Sequence, residues 1–252
     1  MVIFAAAMCD KDMKNIACMA LCLALWCVAA GVKAQTLAPT AVFCYTGSDG
    51  AVVEEEAESF SGSAPVTGRF CANPTDADGY DVRYEWRITR VGDSSPLVLR
   101  FDEDLEYTFT SSGSFSVEVL ATFVVGTDTI SYPDEGETGQ VFTVSIATSR
   151  LEMPNGFSPN GDSFNEVYKA KDNHQSIVSF HAVVFNRWGK RLYEWHDVNG
   201  GWDGRVGGRM VPDGVYFVNV VAKGADGHDY HIRKDINVLT GYTEAASGAS
   251  DQ

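Results

Sequence analysis

The sequence predicts an all-β protein built from two β-sandwich domains in tandem. Three observations carry this. After residue 35 apolar and polar side chains alternate with period 2, and no window of reasonable length holds a 3.6-residue apolar period. Turn residues, among them Asp78-Gly79, Gly92-Asp93 and Gly126, punctuate the alternating runs at short intervals. Of the 252 residues 45% are hydrophobic and 21% charged, the balance of a chain that buries a core.

Residues 1–34 read as a targeting segment. Lys11 and Lys14 form a short basic region, and Ile16 to Ala30 is an apolar run of about 15 residues. That is the length of a signal-peptide core and short for a membrane span. Val32-Lys33-Ala34 offers small residues for cleavage between Ala34 and Gln35, and Met13 is an alternative start. The mature chain is expected to have no transmembrane segment; an uncleaved anchor helix is the competing reading.

Removal of that segment leaves only Cys44 and Cys71 of the six cysteines. A lone pair in an exported β-domain predicts a Cys44–Cys71 disulfide, worth roughly 3 kcal/mol for a loop of this size. Two buried free thiols are the alternative. No Cys-x-x-Cys pair offers a zinc site.

The first sandwich is expected over residues 35–150. Val82, Tyr84, Trp86 and Ile88 alternate with polar residues, as in a strand with one buried, aromatic-rich face. Leu105, Tyr107 and Phe109 repeat the pattern. Phe115, Val117 and Val119 follow the turn at Ser111-Ser112-Gly113, and Phe142, Val144 and Ile146 close the domain. The stretch from Tyr84-Glu85-Trp86 through Tyr107-Thr108-Phe109 to Gly113-Ser114-Phe115-Ser116-Val117 resembles a polycystic kidney disease (PKD)-type immunoglobulin-like domain. The resemblance covers roughly residues 38–147 and implies a spacer or binding sandwich. Residues 35–150 hold 6 Lys and Arg against 19 Asp and Glu, a net of −13. Such a surface repels phosphate backbones and excludes nucleic acid as a partner.

The second domain is expected over residues 151–239, joined near Thr148-Ser149-Arg150 without a long linker. Val178, Phe180, Ala182 and Val184 share one face of a strand. Val215 to Ala222 is nearly continuous apolar and predicts a strand buried on both faces. Tyr230, Ile232, Ile236 and Val238 share one parity, interrupted by Lys234, which suits an edge position. Residues 240–252, rich in Ala, Ser and Gly, read as a flexible tail.

Four blocks distinguish this half. The first runs from Met153 to Glu166 and contains Pro154, Asn155, Phe157, Pro159, Asn160, Gly161, Asp162 and Asn165. The second is Asn186-Arg187-Trp188-Gly189, the third Gly201-Trp202-Asp203-Gly204, and the fourth Val211-Pro212-Asp213-Gly214-Val215-Tyr216. In this order they resemble the gliding motility-associated C-terminal domain of Bacteroidota, the type B sorting domain of type IX secretion. The resemblance implies two tandem immunoglobulin-like β-sandwich domains after a signal peptide. It also implies export to the cell surface or beyond, with the secretion apparatus or other surface proteins as partners. An adhesin binding glycans, with a purely structural C-terminal domain, is the second reading.

Each block also has a bland account. Asn and Asp bond their own backbone and Gly supplies positive φ, so the first block reads as an ordered loop. Asn160, Asp162 and Glu166 form a weaker candidate set for calcium. Trp188 and Trp202 read as packing residues at corners, with Arg187 stacking or pairing and Asp203 tying down backbone. Pro212-Asp213-Gly214 reads as a hairpin turn.

No catalytic residues and no cofactor are expected. No Gly-x-Ser-x-Gly elbow, His-Glu-x-x-His helix or phosphate-cradling loop occurs. The acidic run Asp102-Glu103-Asp104 reads as a solvated loop. His174, His181 and His196 stand alone in the sequence, and His228 and His231 are expected on opposite sides of a strand.

Overall fold

The structure is a computed structural model that describes residues 35–47 and 50–241. The expected signal peptide with its Ala34 side of the cleavage point, and tail residues 242–252, lie outside the described residues. Among the described residues no helix is long and apolar enough to cross a membrane.

Among the described residues all the regular structure is strand. In the N-terminal half these are β1 (Thr36–Leu37), β2 (Thr40–Thr46), β3 (Val52–Glu56), β4 (Ser59–Gly62), β5 (Val66–Cys71) and β6 (Pro74–Thr75), then β7 (Asp81–Arg90), β8 (Val98–Arg100), β9 (Asp104–Phe109), β10 (Gly113–Val125), β11 (Asp128–Tyr132) and β12 (Val141–Ile146). The C-terminal half contains β13 (Gly156–Phe157), β14 (Tyr168–Lys169), β15 (Ile177–Phe185), β16 (Arg191–Trp195), β17 (Gly201–Trp202), β18 (Arg205–Val206), β19 (Arg209–Met210), β20 (Gly214–Gly224) and β21 (Asp229–Val238).

The N-terminal module is a sandwich of two sheets. One has the order β3-β2-β5-β9; the other has β4-β12-β10-β7-β8, with β11 also on β10. Alternation along β10 buries Phe115, Val117, Val119, Ala121 and Phe123 while their neighbours face out. Trp86 and Ile88 come from β7, and Phe142 and Val144 from β12. They meet Phe43, Phe70 and Phe109 of the facing sheet in one core. The Phe70 ring lies 6.1 Å from Trp86 and 5.5 Å from Phe142, so the layers interlock through aromatic contacts. The Trp86 indole donates to the Glu103 carbonyl at 3.1 Å, which lets a polar atom enter the core satisfied.

The C-terminal module is a five-stranded sheet, β13-β21-β20-β15-β16, antiparallel except for the β13–β21 pair. Phe180, Ala182 and Val184 of β15, with Val218, Val220 and Ala222 of β20, bury one face. The short β14–β17 pair adds Tyr168 and Trp202 to the same core.

Two expectations fail, the first on register. Cys44 pairs with Thr67 and Cys71 with Thr40, so the cysteines stand four residues apart along adjacent strands. That offset is roughly 13 Å at the rise of a strand, well beyond the ~7 Å a disulfide spans. Both are free thiols. Arg69 holds Cys44, its Nη2 donating to Sγ at 3.0 Å and to Glu54 Oε1 at 2.5 Å. Burial, then the neighbouring Asp104 carboxylate, pushes the Cys71 thiol up. The Val215–Ala222 run is buried on one face only. Val215, Phe217 and Val221 on its other face are 41%, 43% and 44% exposed, because an antiparallel sheet here has a core on a single side.

The modules are tied together. The Ala64 amide donates to Ser176 Oγ at 3.2 Å, and the Ser112 amide to the Ala225 carbonyl at 2.9 Å. Ala225 is packed in the N-terminal core cluster. A polar cleft of about 550 Å³ opens along this junction, lined among others by Tyr45, Pro65, His174, Ser176 and His196.

Candidate functional site

Three of the four sequence blocks meet around Trp202, and the second lies beside them. Trp202 is fully buried, and its Nε1 donates to the Arg205 carbonyl at 3.0 Å. The Phe157 ring approaches it at 5.5 Å and the Tyr216 ring at 5.6 Å. Tyr168 meets Phe157 at a tilt, with ring centroids 5.8 Å apart, and donates to the Pro154 carbonyl at 3.0 Å. Burial, then the Asp235 carboxylate, drives the Tyr168 hydroxyl far above its ordinary range, so it acts as a donor at any ordinary pH. Gly201 is required by closeness: a Cβ there would lie 2.5 Å from Val167 Cγ1 and 2.7 Å from the Tyr168 carbonyl.

The first block is an ordered loop held by its own side chains. Asn160 Oδ1 accepts from the Asp162 amide at 3.0 Å, and Asp162 Oδ1 from the Phe164 amide at 2.9 Å. Glu166 Oε1 accepts from the Ser163 amide at 3.2 Å. One oxygen of each calcium candidate is thus engaged as a turn acceptor. Gly161, Ser163 and Asn165 take positive φ of 85°, 74° and 50°. Asn155 accepts from Lys234 Nζ, which also donates to the Met153 carbonyl at 3.0 Å. Lys234, the residue that breaks the apolar parity of β21, therefore anchors this loop.

The second block is the tip of the β15–β16 hairpin. Asn186 Oδ1 accepts from the Trp188 amide at 3.0 Å and the Lys190 amide at 2.9 Å, and Gly189 takes a φ of 77°. The tip throws Trp188 outward: it is 81% exposed, where a packed corner was expected. Arg187 covers one face of its ring, the guanidinium carbon 5.6 Å from the centroid. The two tryptophans of the motif thus have opposite jobs, one buried as a post and one presented.

The other expectations divide. Asp203 ties down backbone as expected, its Oδ1 accepting from the Arg205 amide at 2.9 Å. Gly204 has a φ of 78°. Tyr216 donates to the Pro212 carbonyl at 2.8 Å. Pro212-Asp213-Gly214 launches β20 but joins no paired strands, since β20 pairs with β15 and β21. Asp213 instead accepts from the Thr240 amide at 3.0 Å and its hydroxyl at 2.6 Å, so order runs past the expected start of the tail. In the other module, Asp104 Oδ1 accepts from the Ala72 amide at 3.3 Å.

Sequence reading missed one grouping. His181 and His196, expected to stand alone, face each other across β15 and β16, with Glu194 between them. A symmetric hairpin continued from the Phe185–Arg191 pair would set His181 opposite Trp195. A bulge between Val184 and Phe185 shifts the register by one residue and sets Ala182 opposite Trp195. That shift was not legible in period-2 patterning alone.

Residues 151–232 match the family described as CHU_C Type IX secretion signal domain. No curated protein is similar to the chain. Among solved structures, chicken CNTN1 FN1-FN3 domains are similar at 11% identity, over 74% of this chain and 68% of that one, with a TM-score of 0.28. The fold rests on the sheets described above and not on that likeness. The family match covers all four blocks and supports a secreted protein with a C-terminal sorting signal, exported through type IX secretion to the cell surface or the extracellular space.

Proposed function

We propose that the C-terminal module is read by the type IX secretion apparatus at the hairpin tip, and that residues 35–150 are its passenger. The match over residues 151–232 carries the sorting role. The tip is favoured as the contact because Trp188 is 81% exposed on a hairpin whose turn is fixed by Asn186, with Arg187 stacked beside it. Large aromatic and Arg side chains presented rigidly are the residues that anchor protein interfaces. The passenger acts without catalysis as a spacer or binding sandwich of PKD type, and the exported protein stays attached to the cell surface of a Bacteroidota host. An N-terminal signal peptide, cleaved between Ala34 and Gln35, first carries it across the inner membrane.

A graft tests the reading. Residues 151–241 are fused to a periplasmic carrier in a host that runs type IX secretion, and carrier outside the cell is measured. The proposal expects export of the fusion and its loss with Trp188→Ala. Equal export with and without the graft would sink the sorting role; export unchanged by Trp188→Ala would sink the tip as the contact.

A further inference from the structure

We infer that His181, Glu194 and His196 form a binding site for a borderline divalent transition cation of the zinc type. Their potential ligand atoms all lie within 4.8 Å of one another, and they are the only such group of three or more His, Cys, Asp or Glu among the described residues. The convergence is specific. His181 Nε2 lies 2.8 Å and His196 Nε2 3.7 Å from the same atom, Glu194 Oε1. The two imidazole rings stack with centroids 4.6 Å apart and planes 10° from parallel, so both stand beside the same carboxylate.

The fold supplies the preorganisation. His181 and His196 stand one step beyond the Ala182–Trp195 pair, on the face opposite the core. Directly opposite residues in an antiparallel pair set their Cβ atoms about 5 Å apart, within chelating reach of one ion. Glu194 is on the same face, two residues before His196. Arg191 Nη1 donates to Glu194 Oε2 at 2.6 Å, which orients the carboxylate and leaves Oε1 toward the imidazoles.

Two imidazole nitrogens and one carboxylate oxygen suit zinc, with bonds of about 2.0–2.2 Å and a solvent molecule in the fourth place. To close on one ion the two rings turn out of their parallel stack, so that both Nε2 atoms point at a common centre beside Oε1. The His181, Glu194 and His196 side chains are 42%, 31% and 70% exposed, so an ion reaches them from solvent. His196 also lines the cleft between the modules, which puts the site on its rim.

The test is calorimetric titration of the secreted chain with zinc chloride alone. The expected result is one equivalent bound at this site, weakened at least about tenfold by His181→Ala and by His196→Ala, since even outer partners of metal ligands cost that much. His231→Ala should leave binding unchanged. His196 is exposed enough to be replaced without unfolding the sheet, and an unchanged denaturation curve checks this. No zinc binding, or binding that survives both His181→Ala and His196→Ala, would overturn the proposal.

Discussion

Ser149 Oγ donates to Asp226 Oδ1 at 2.7 Å, and the Ser149 amide donates to Oδ2 of the same carboxylate at 3.0 Å. The pair closes the junction where the chain passes from one module to the other. Ser149 also meets the Tyr230 hydroxyl at 2.9 Å, and the next residue, Arg150, forms a bridge with Gln175. The absence of a long linker in the sequence is thus matched by a fastened joint. The first core ends at Ile146 in sequence, save for Ala225, and the second begins at Leu151.

This joint should be acid-sensitive. The hydrogen bond from Ser149 holds the Asp226 carboxyl below its ordinary value of 3.8; partial burial opposes this, and backbone amides from His228 and Ser149 add to it. A group whose folded-state pKa is depressed stabilises the fold above its ordinary pKa and loses that contribution as pH falls through the folded-state value. Thermal unfolding followed from pH 6 downward should therefore show the joint's contribution begin to decline below its ordinary value of 3.8. Ser149→Ala should remove part of this dependence and cost roughly 0.5 kcal/mol at neutral pH, because the pair is exposed.

Gly224→Ala should break the same joint more severely. A Cβ at Gly224 would overlap the Ser149 side chain and lie 2.5 Å from Asp226 Oδ1. Displacement of Ser149 is expected to free the modules, read as a rise in radius of gyration by solution scattering while each module stays folded. An unchanged scattering curve would show that the joint tolerates the methyl group.

The two tryptophans of the C-terminal motif should separate cleanly. Trp202→Ala removes a fully buried indole that touches Phe157 and Tyr216, and should destabilise the module by about 3–5 kcal/mol. Trp188→Ala should change stability by less than about 0.5 kcal/mol, as expected of a surface position. Urea denaturation of both variants measures the contrast.

The cysteines make a further check. Alkylation of the folded chain without reductant, followed by mass spectrometry of its peptides, should label Cys44 and Cys71 separately. A peptide pair linked through them would contradict the strand register.

How much was legible follows from what a sequence pattern encodes. Period-2 alternation gave the strands of both modules and the buried faces of Trp86–Ile88, Phe115–Val119 and Phe180–Val184, because burial of one sheet face acts on every second residue. The four motif blocks were visible as turn chemistry and as a family resemblance. Register was not visible, and its effects were large. It parted Cys44 from Cys71, and a bulge near Phe185 joined His181 to His196. The direction of Trp188 was also hidden, since a hairpin tip obeys its turn rather than its hydrophobicity.

The most direct test of the account is protease accessibility on intact cells of a host with type IX secretion, comparing the chain with and without residues 151–239. The account predicts that added protease cleaves residues 35–150 only when the C-terminal module is present. Equal exposure in both, or none in either, would contradict it.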